Sequence, residues 1–334
     1  MIRIRFPLGV AAPAWLRDLG DHVEVTEDPS VIALEEEKNT DRQRTAVDRV
    51  LRGEFARLWS AGDRVFDLVS VETRSGCNHT CTFCPVARAV DPRPPGELDL
   101  AAIELIARQL GDLGYAGRIA PFGNNEPLLD LRLPEIVATF RRSCPDADIR
   151  VLTNGILARP PLVAELFEAG LSTLSVNNYS DGRRVIAPVR RLLAEAGHLR
   201  HHDIRISVRR RAEILTTRAG LAPNKPRPAV EPRGFCALPF TDLHVSYTGE
   251  VNLCCFDAYG NIRVGNVADT PLTEIWRSPL LTRYRTSLLR SDRADLDLCR
   301  HCDFDGFRAP ATDAPRPLVR NDILTHGEPT REQD

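Results

Sequence analysis

The sequence has no apolar run approaching the roughly 20 residues that a membrane-spanning helix needs, and its N-terminus lacks a signal-peptide core. An excess of one charge is also missing. The 44 basic and 46 acidic residues leave a net charge of −2, so no overall field attracts nucleic acid or an anionic membrane. Lysine is nearly absent, with Lys38 and Lys225 alone, a skew typical of a GC-rich genome. We therefore expect a cytoplasmic protein that binds neither nucleic acid nor membranes.

Nine cysteines are the most informative part of the composition. Without an export signal, they favour metal binding or redox chemistry over a disulfide framework. The 334 residues leave room for one large domain and a smaller one. The 43% apolar and 27% charged residues are typical of a globular protein.

Three cysteines lie on one short loop. Residues 76–85 read Gly-Cys-Asn-His-Thr-Cys-Thr-Phe-Cys-Pro, which places Cys77, Cys81 and Cys84 in a C-x3-C-x2-C pattern after an apolar run. A structural zinc site would close its fourth ligand position with another side chain. An iron–sulfur cluster with one unligated iron would instead use that position to hold and activate a ligand.

From residue 66 onward, short apolar runs alternate with helical patterns. This alternation favours a parallel sheet with helices outside it, either open and doubly wound or a partial barrel. Asp99 is predicted to cap a helix that carries Ile103, Ile106, Ala107, Leu110 and Leu113 on one stripe. Strands are predicted at 66–72, 118–122, 149–152, 173–177, 204–208 and 214–217, and further helices at 134–142, 162–169 and 184–196.

Residues 1–65 do not fit this barrel pattern. Strands are predicted at 1–6 and 22–26, and helices at 12–19 and about 47–58. A packing extension, a substrate cap, a dimer contact and a recognition module all remain open for this segment. Prolines between residues 223 and 232 mark a linker to a second domain.

Polar residues follow several of the predicted strands. Gly123, Asn124, Asn125 and Glu126 form a loop whose oxygens suit an ammonium group, although an ordinary turn would have the same composition. Asn154, Ser175 and Asn177 stand at the ends of later strands, where helix caps and turns are the alternative interpretation.

A second cysteine set follows the linker. Cys236, Cys254, Cys299 and Cys302 bring four thiols from separated places, which by themselves favour a closed zinc site. Cys144 is predicted to be a buried packing residue. Cys255, next to Cys254, is either a packing residue or a group with chemistry of its own.

The first loop, with an aromatic residue before its third cysteine, resembles the signature of the radical S-adenosylmethionine (SAM) enzymes. The order C-x12-G-x4-C, then Gly-Asn, an Ile-Trp helix and C-x2-C, resembles the C-terminal domain of the SPASM/twitch members. No cysteine follows Cys302, so the pattern is similar to the shorter, twitch version. The resemblance spans about residues 66–305 and includes both cysteine sets.

The resemblance implies an α/β fold built on a partial (β/α)6 TIM-like barrel. The expected domains are an N-terminal extension (1–65), the barrel (66–221), a small cluster-binding twitch domain (233–308) and a tail (309–334). Two [4Fe–4S] clusters are implied. Cys77, Cys81 and Cys84 would hold the first, whose fourth iron binds SAM, and Cys236, Cys254, Cys299 and Cys302 would hold the auxiliary one.

The resemblance also assigns a SAM site. Gly123, Asn124, Asn125 and Glu126 match the loop that binds the SAM amino group in the family, with Asn125 where a second glycine often stands. Asn154, Ser175 and Asn177 would meet the ribose and carboxylate, and the backbone of Phe83 the adenine.

The implied chemistry begins with a 5′-deoxyadenosyl radical that takes a hydrogen atom from the substrate. The cysteine spacing resembles the dehydrogenases of aminocyclitol antibiotic pathways, which implies oxidation of a sugar, an aminocyclitol or a similar small molecule. The electron would pass to the auxiliary cluster, and Arg218 and Asp257 are candidates to assist loss of the hydroxyl proton. An electron donor such as flavodoxin or ferredoxin is implied.

Three alternatives remain open at this point. A redox-neutral epimerase would use Cys255 as hydrogen-atom donor. A peptide-modifying enzyme would grip a leader sequence with residues 1–65. A non-enzymatic protein would hold two structural zinc ions. The sequence gives no prediction of the oligomeric state.

Overall fold

The computed structural model describes residues 2–7, 23–28, 53, 56, 65–199, 201–228 and 234–304. Its strands are β1 (Ile2–Pro7), β2 (Val23–Asp28), β3 (Leu68–Val71), β4 (Arg118–Ala120), β5 (Asp148–Thr153), β6 (Thr173–Tyr179), β7 (Asp203–Arg209), β8 (Asp242–Val245), β9 (Glu250–Asn252) and β10 (Arg263–Asn266). Its helices are α1 (Leu100–Asp112), α2 (Leu133–Ser143), α3 (Pro160–Glu168), α4 (Ala187–Glu195), α5 (Leu238–Thr241), α6 (Leu272–Trp276) and α7 (Pro279–Leu289), with 3-10 turns at Pro127–Leu129, Ala196–Leu199 and Cys299–His301.

The strands form one sheet in the order β10-β9-β8-β3-β4-β5-β6-β7-β1-β2. Strands β3 to β7 are consecutive and parallel, and α1 to α4 connect them in turn. The C-terminal ends of these strands therefore share one edge, where their loops meet. Within the described residues no pairing closes the sheet. The predicted α/β partial barrel is confirmed.

Helix α1 follows the sequence pattern with one exception. The Asp99 side chain accepts a hydrogen bond from the Ala101 amide, as a cap does. The apolar stripe of this helix is buried up to Leu110. Leu113 is 40% exposed instead of buried, because the helix ends at Asp112 and Gly114 turns the chain away with a φ of 58°.

The strand predicted at 214–217 is wrong. Glu213 turns the chain there, since its carboxylate binds the Arg209 side chain (2.6 Å) and the Arg210 amide (3.0 Å). The Thr217 amide then donates to Asp303 at 2.6 Å instead of to a neighbouring strand. The place beside β7 is taken by β1, which pairs with it in parallel.

Strands β1 and β2 confirm the strands predicted at 1–6 and 22–26, and they belong to the sheet, contrary to the prediction that residues 1–65 do not fit the barrel pattern. β1 pairs with both β7 and β2, Ile4 is fully buried, and Arg3 bonds Asp203 at 3.4 Å. The predicted helix at 12–19 lies outside the described residues. So does the helix at 47–58, apart from residues 53 and 56, which are helical. The tail at 309–334 is likewise outside them.

The C-terminal part continues the sheet at its other edge. β8 pairs in parallel with β3, with His244 beside Ser70, and β9 and β10 follow as antiparallel strands. β9 ends just before Cys254, and the chain that follows reaches the loop after β4, where the Asn124 side chain donates to the Cys255 carbonyl at 3.3 Å. Of the helices that the structure describes, none has the length and apolarity to cross a membrane.

Candidate active site

The first cysteine loop follows β3 at the C-terminal edge of the sheet. The pKa of Cys77 is raised to about 11, mainly by burial and also by the nearby Glu126 and Cys84, while a hydrogen bond from the His79 amide opposes the shift. Burial, Cys84 and Cys77 raise the pKa of Cys81 to about 12. The three thiols thus lie close enough to repel one another as thiolates. All nine cysteines lie in the described part of the chain and form no disulfide. Such a donor set suits a positively charged iron–sulfur centre, which favours the thiolates.

Asn154, which was predicted to meet SAM, lies at the end of β5 and reaches this cysteine loop. Its amide nitrogen lies 2.7 Å from the Asn78 side-chain oxygen and 3.8 Å from the Cys77 sulfur. Its own oxygen accepts a hydrogen bond from the Ile156 amide at 3.0 Å. Asn154 therefore positions the cysteine loop against the next strand end.

Glu126 is buried, with 2% of its surface exposed. Oε1 accepts bonds from the Thr153 hydroxyl (2.6 Å) and the Leu128 amide (3.0 Å), and Oε2 accepts one from the Asn154 amide (2.8 Å). Burial raises the pKa of this carboxyl, and these donors oppose the shift. One acceptor position on Oε2 remains, which is compatible with an ammonium proton. Most of the Glu126 carboxylate nevertheless ties its loop to β5.

Asn124 contacts both the end of the barrel and the segment that carries Cys254 and Cys255. Its side-chain oxygen accepts a bond from Arg218 at 2.6 Å, and its side-chain nitrogen donates to the Cys255 carbonyl at 3.3 Å. Its backbone carbonyl accepts a bond from Arg93 at 2.6 Å. One residue of the β4 loop thus joins the end of the barrel to the second cysteine segment.

The neighbours of Asn124 shape the same loop. The Asn125 oxygen accepts a bond from the Gly123 amide at 2.9 Å, while the Asn125 side-chain nitrogen is buried with no protein partner among the described residues. A buried donor without a partner suits a bound ligand with acceptor oxygens. Gly123 is required, because a Cβ there would lie 2.9 Å from the Glu72 Cβ.

Arg218 is held in an unusual backbone conformation. Arg218 and Ala219 have φ values of 50° and 55°, which disfavour side chains with a Cβ. Thr217 anchors this turn through bonds from its hydroxyl to the His301 carbonyl (2.8 Å) and Asp303 (3.0 Å). The Arg218 Nε is buried without a protein partner in the described part of the chain. The C-terminal cysteine segment therefore directs Arg218 toward Asn124.

The end of β6 packs against the cysteine loop through a residue that the sequence interpretation missed. The Tyr179 ring lies 5.7 Å from that of Phe83 and 5.5 Å from that of His79. Asn177 donates to the Tyr179 hydroxyl at 3.2 Å, and Ser175 is half-buried on the same face of the strand. The sequence signal that could have identified Tyr179 is its position as an aromatic residue directly after the polar pair Asn177-Asn178.

The second cysteine set lies around Cys254. Burial and the charges of Cys255, Cys299, Cys302 and Cys236 all raise the pKa of Cys254. The four predicted ligands therefore lie near one another, and their thiols have the composition of an iron–sulfur site, while their role as cluster ligands stays a prediction. Among the described residues, no three His, Cys, Asp or Glu side chains form a site for a single metal ion.

Arg293, another residue that the sequence interpretation missed, ties this set together. Its guanidinium donates to the carbonyls of Gly234 (2.9 Å), Phe235 (2.8 Å), Cys302 (3.2 Å) and Phe304 (2.9 Å). It thereby joins the chain before Cys236 to the chain around Cys302. Among 42 arginines, nothing in the sequence marks this one.

Asp257 has a different place from the one expected of a group that moves a proton. It is fully buried, and its two carboxylate oxygens accept bonds from the Asn261 and Ile262 amides, both at 2.8 Å. Burial raises the pKa of the carboxyl, and these amides oppose the shift. The geometry makes Asp257 the residue that closes the turn after the Cys254–Cys255 pair.

A cavity of about 90 Å³ lies between β3, β4, β8 and the Cys254–Cys255 segment. Asn124 and Cys255 line it, as do Glu72 and His244, which the sequence interpretation did not single out. The volume corresponds to about three water molecules, which is enough for part of a small polar ligand. The cavity is thus bordered by Glu72, which directly follows β3, by the loop after β4 and by the Cys254–Cys255 segment.

Two sequence models of known families match the chain. The radical SAM superfamily matches residues 71–200, and an iron–sulfur cluster-binding domain of the SPASM type matches residues 236–303. An S-adenosyl-L-methionine-dependent 2-deoxy-scyllo-inosamine dehydrogenase from Niallia circulans is 29% identical over 247 residues, which is 72% of this chain and 94% of that protein. These matches favour iron–sulfur clusters over the zinc alternative.

The chain also resembles solved structures. A crystal structure of BtrN in complex with AdoMet and 2-DOIA superposes with a TM-score of 0.63 and 27% identity, over 72% of this chain and 94% of that one. Streptococcus suis SuiB bound to S-adenosylmethionine gives a TM-score of 0.52 over 76% of each chain. At 15% identity that likeness extends to the fold alone.

Proposed function

We infer that this chain, a radical SAM enzyme with a C-terminal SPASM/twitch domain, oxidises a secondary hydroxyl group of a small polyol to a carbonyl group. A sugar or an aminocyclitol is the proposed substrate class. The 29% identity to a 2-deoxy-scyllo-inosamine dehydrogenase supports this class, as does the likeness to BtrN.

The observation that carries the proposal is the position of Asn124. It bonds Arg218 at 2.6 Å and the Cys255 carbonyl at 3.3 Å, at the rim of a cavity that Cys254 and Cys255 also line. A substrate in this cavity would lie between the SAM loop and the auxiliary cysteine set. Dehydrogenation needs this arrangement, because the substrate must lose a hydrogen atom on one side and an electron on the other.

Two [4Fe–4S] clusters and SAM are the proposed cofactors. When bound, SAM and the cluster of Cys77, Cys81 and Cys84 supply the acceptor for the substrate hydrogen atom, and the cluster of Cys236, Cys254, Cys299 and Cys302 takes up the electron. A small redox protein such as flavodoxin or ferredoxin would reduce the first cluster.

The protein's part is to hold the substrate and exclude water. Arg218 is proposed to bind the substrate oxygen, because its Nε lacks a protein partner among the described residues while Asn124 fixes its other end. A guanidinium keeps its proton, so Arg218 would polarise the oxygen instead of deprotonating it.

The test is anaerobic reconstitution with iron and sulfide, followed by incubation with SAM, a reductant and a panel of aminocyclitols that includes 2-deoxy-scyllo-inosamine. We expect a carbonyl product, trapped as a hydrazone, in step with 5′-deoxyadenosine. SAM cleavage without any carbonyl product across the panel would contradict the proposal.

A redox-neutral epimerase is the second candidate, favoured by the fact that Cys255 lines the cavity and is not needed for the four-cysteine set. In that case Cys255→Ala would stop product formation while Cys255→Ser would not restore it, since a serine hydroxyl is a poor hydrogen-atom donor. For a dehydrogenase, both variants should retain carbonyl formation. Product stereochemistry by NMR separates the two functions.

A further inference from the structure

The proposed oxidation releases a proton from the substrate hydroxyl, and the candidates from the sequence do not accept it. Arg218 is a guanidinium that holds its own proton. The carboxylate of Asp257 is occupied by the amides of Asn261 and Ile262. Another acceptor must therefore border the cavity.

Glu72 is placed for this role. It follows β3 directly, its amide donates to the Val245 carbonyl at 2.9 Å, and its side chain lines the cavity together with Asn124 and Cys255. The residue is 3% exposed. A carboxylate is thus held, away from bulk water, beside a cavity that the Cys254–Cys255 segment also lines.

The side chain of Glu72 is fixed by its surroundings. The Arg93 Nη1 donates to both of its oxygens, at 2.9 and 3.2 Å, and Arg93 also binds Asp91 at 2.9 Å and the Asn124 carbonyl. The Arg93 Nη1 and the Tyr247 amide are the donors to this carboxylate, and together they do not fill its four acceptor positions. Arg93 therefore orients the carboxylate without saturating it.

The charges around Glu72 favour proton uptake. Asp91 and Glu72 share one arginine, so the buried group carries a net negative charge that a proton would neutralise. Burial raises the pKa of Glu72 to about 7, with Arg93 lowering it, Asp91 raising it and the Tyr247 amide lowering it. His244 lines the same cavity, and Arg218 reaches its rim through Asn124. A base is most effective when its pKa lies near the working pH.

We propose that Glu72 is the catalytic base that accepts the hydroxyl proton of the substrate. The step rests on the proposed function and balances with it. The C–H bond would give its hydrogen atom to the acceptor that SAM supplies when bound, the O–H bond would give its proton to Glu72, and the remaining electron would go to an auxiliary cluster held by Cys236, Cys254, Cys299 and Cys302. A C=O double bond forms, and Glu72 returns its proton to water when the product leaves.

The test compares the wild type with Glu72→Gln, which keeps the size of the side chain and one acceptor for Arg93. General-base catalysis contributes on the order of 100-fold or more, so carbonyl formation should fall about 100-fold while 5′-deoxyadenosine still forms. Glu97→Gln, which removes an exposed carboxylate paired with Arg74, is the matched control and should keep wild-type turnover.

A second readout does not depend on turnover. In the wild type, carbonyl formation should fall as the pH drops through about 7, because the active form is the ionised carboxylate. Infrared difference spectra between the wild type and Glu72→Gln should show a carboxylic C=O band that disappears over the same pH range. If the Gln variant fails to fold, Glu72→Asp takes its place. This variant should form the carbonyl product more slowly than the wild type and should still lose activity as the pH drops.

The outcomes separate this inference from the proposed function. If the wild type and Glu72→Gln form the carbonyl product at equal rates, or the infrared band is absent, Glu72 is not the base and the dehydrogenase function stands. If the wild type itself forms no carbonyl product from the panel, the function fails and the inference with it.

Discussion

Replacing Arg293 with methionine should cost the protein its auxiliary iron–sulfur cluster while the first one remains. The guanidinium donates to four backbone carbonyls, of Gly234, Phe235, Cys302 and Phe304. These bonds join the segment that carries Cys236 to the segment that carries Cys302. Methionine fills a similar volume but leaves all four carbonyls without their donor.

The size of the effect follows from those bonds. A net contribution of about 1 kcal/mol for each hydrogen bond gives about 4 kcal/mol for the four together. Domains are stable by only about 5–15 kcal/mol, so the loss is a large fraction of the total. The Arg293 charge also opposes the effect of burial on the pKa of Cys236, which stands at about 12. Its removal makes that thiolate harder to form.

The assay is iron content and unfolding by denaturant under anaerobic conditions. The wild type should bind about eight iron atoms per chain, as expected of two [4Fe–4S] clusters, and the variant about four. Arg283→Met, which changes an exposed arginine on α7, is the control and should keep both values. An Arg293→Met protein with the iron content and unfolding midpoint of the wild type would refute the reasoning.

Three further predictions concern the cavity and its supports. Asn124→Ala should lower kcat on the order of 10–100-fold, because Arg218 and the Cys255 segment lose their common partner, and steady-state kinetics checks this. Thr217→Val should lower the free energy of unfolding by about 2 kcal/mol, since its hydroxyl contacts the His301 carbonyl and Asp303, as measured by denaturant titration. The folded-state pKa of Glu72, about 7, lies above its ordinary value, so its contribution to stability is present at low pH and is lost as the pH rises through 7. Between pH 5.5 and 7.5 the wild type should lose about 2 kcal/mol relative to Glu72→Gln, and equal losses in denaturant unfolding would contradict this.

Much of the barrel follows from local pattern. The strands β3 to β7 and helices α1 to α4 were predicted because their apolar residues alternate with the periods of strands and helices, and each buries one face. The two cysteine sets were also predictable, since metal ligands are constrained in type and spacing.

The edges of the sheet were not predictable in the same way. Pairing of β1 with β7 joins residues about 200 positions apart, and no local period encodes such a contact. The stretch at 214–217 satisfied the strand pattern, but the Thr217 amide donates to the Asp303 carboxylate instead of to a strand, and Glu213 accepts a bond from the Arg210 amide just before the stretch. Side-chain capture of this kind depends on residues distant in sequence.

Some residues of the candidate site could likewise be predicted from local sequence, and others could not. Strand-end residues such as Asn124 and Asn154 were found because loops after parallel strands meet at one edge. Glu72 and Arg93 were missed, because an ion pair across 21 positions has no sequence signature. Asp257 was misjudged because a carboxylate that caps its own turn has the same local sequence as one that faces a ligand.

The central claim is that the enzyme removes a hydrogen atom from a carbinol carbon and leaves a carbonyl group there. The most direct test uses an aminocyclitol deuterated at that carbon, with product and 5′-deoxyadenosine analysed by mass spectrometry. Our account predicts deuterium in 5′-deoxyadenosine and an equal amount of carbonyl product. Deuterium transfer that yields an inverted alcohol instead, or 5′-deoxyadenosine without deuterium, would contradict it.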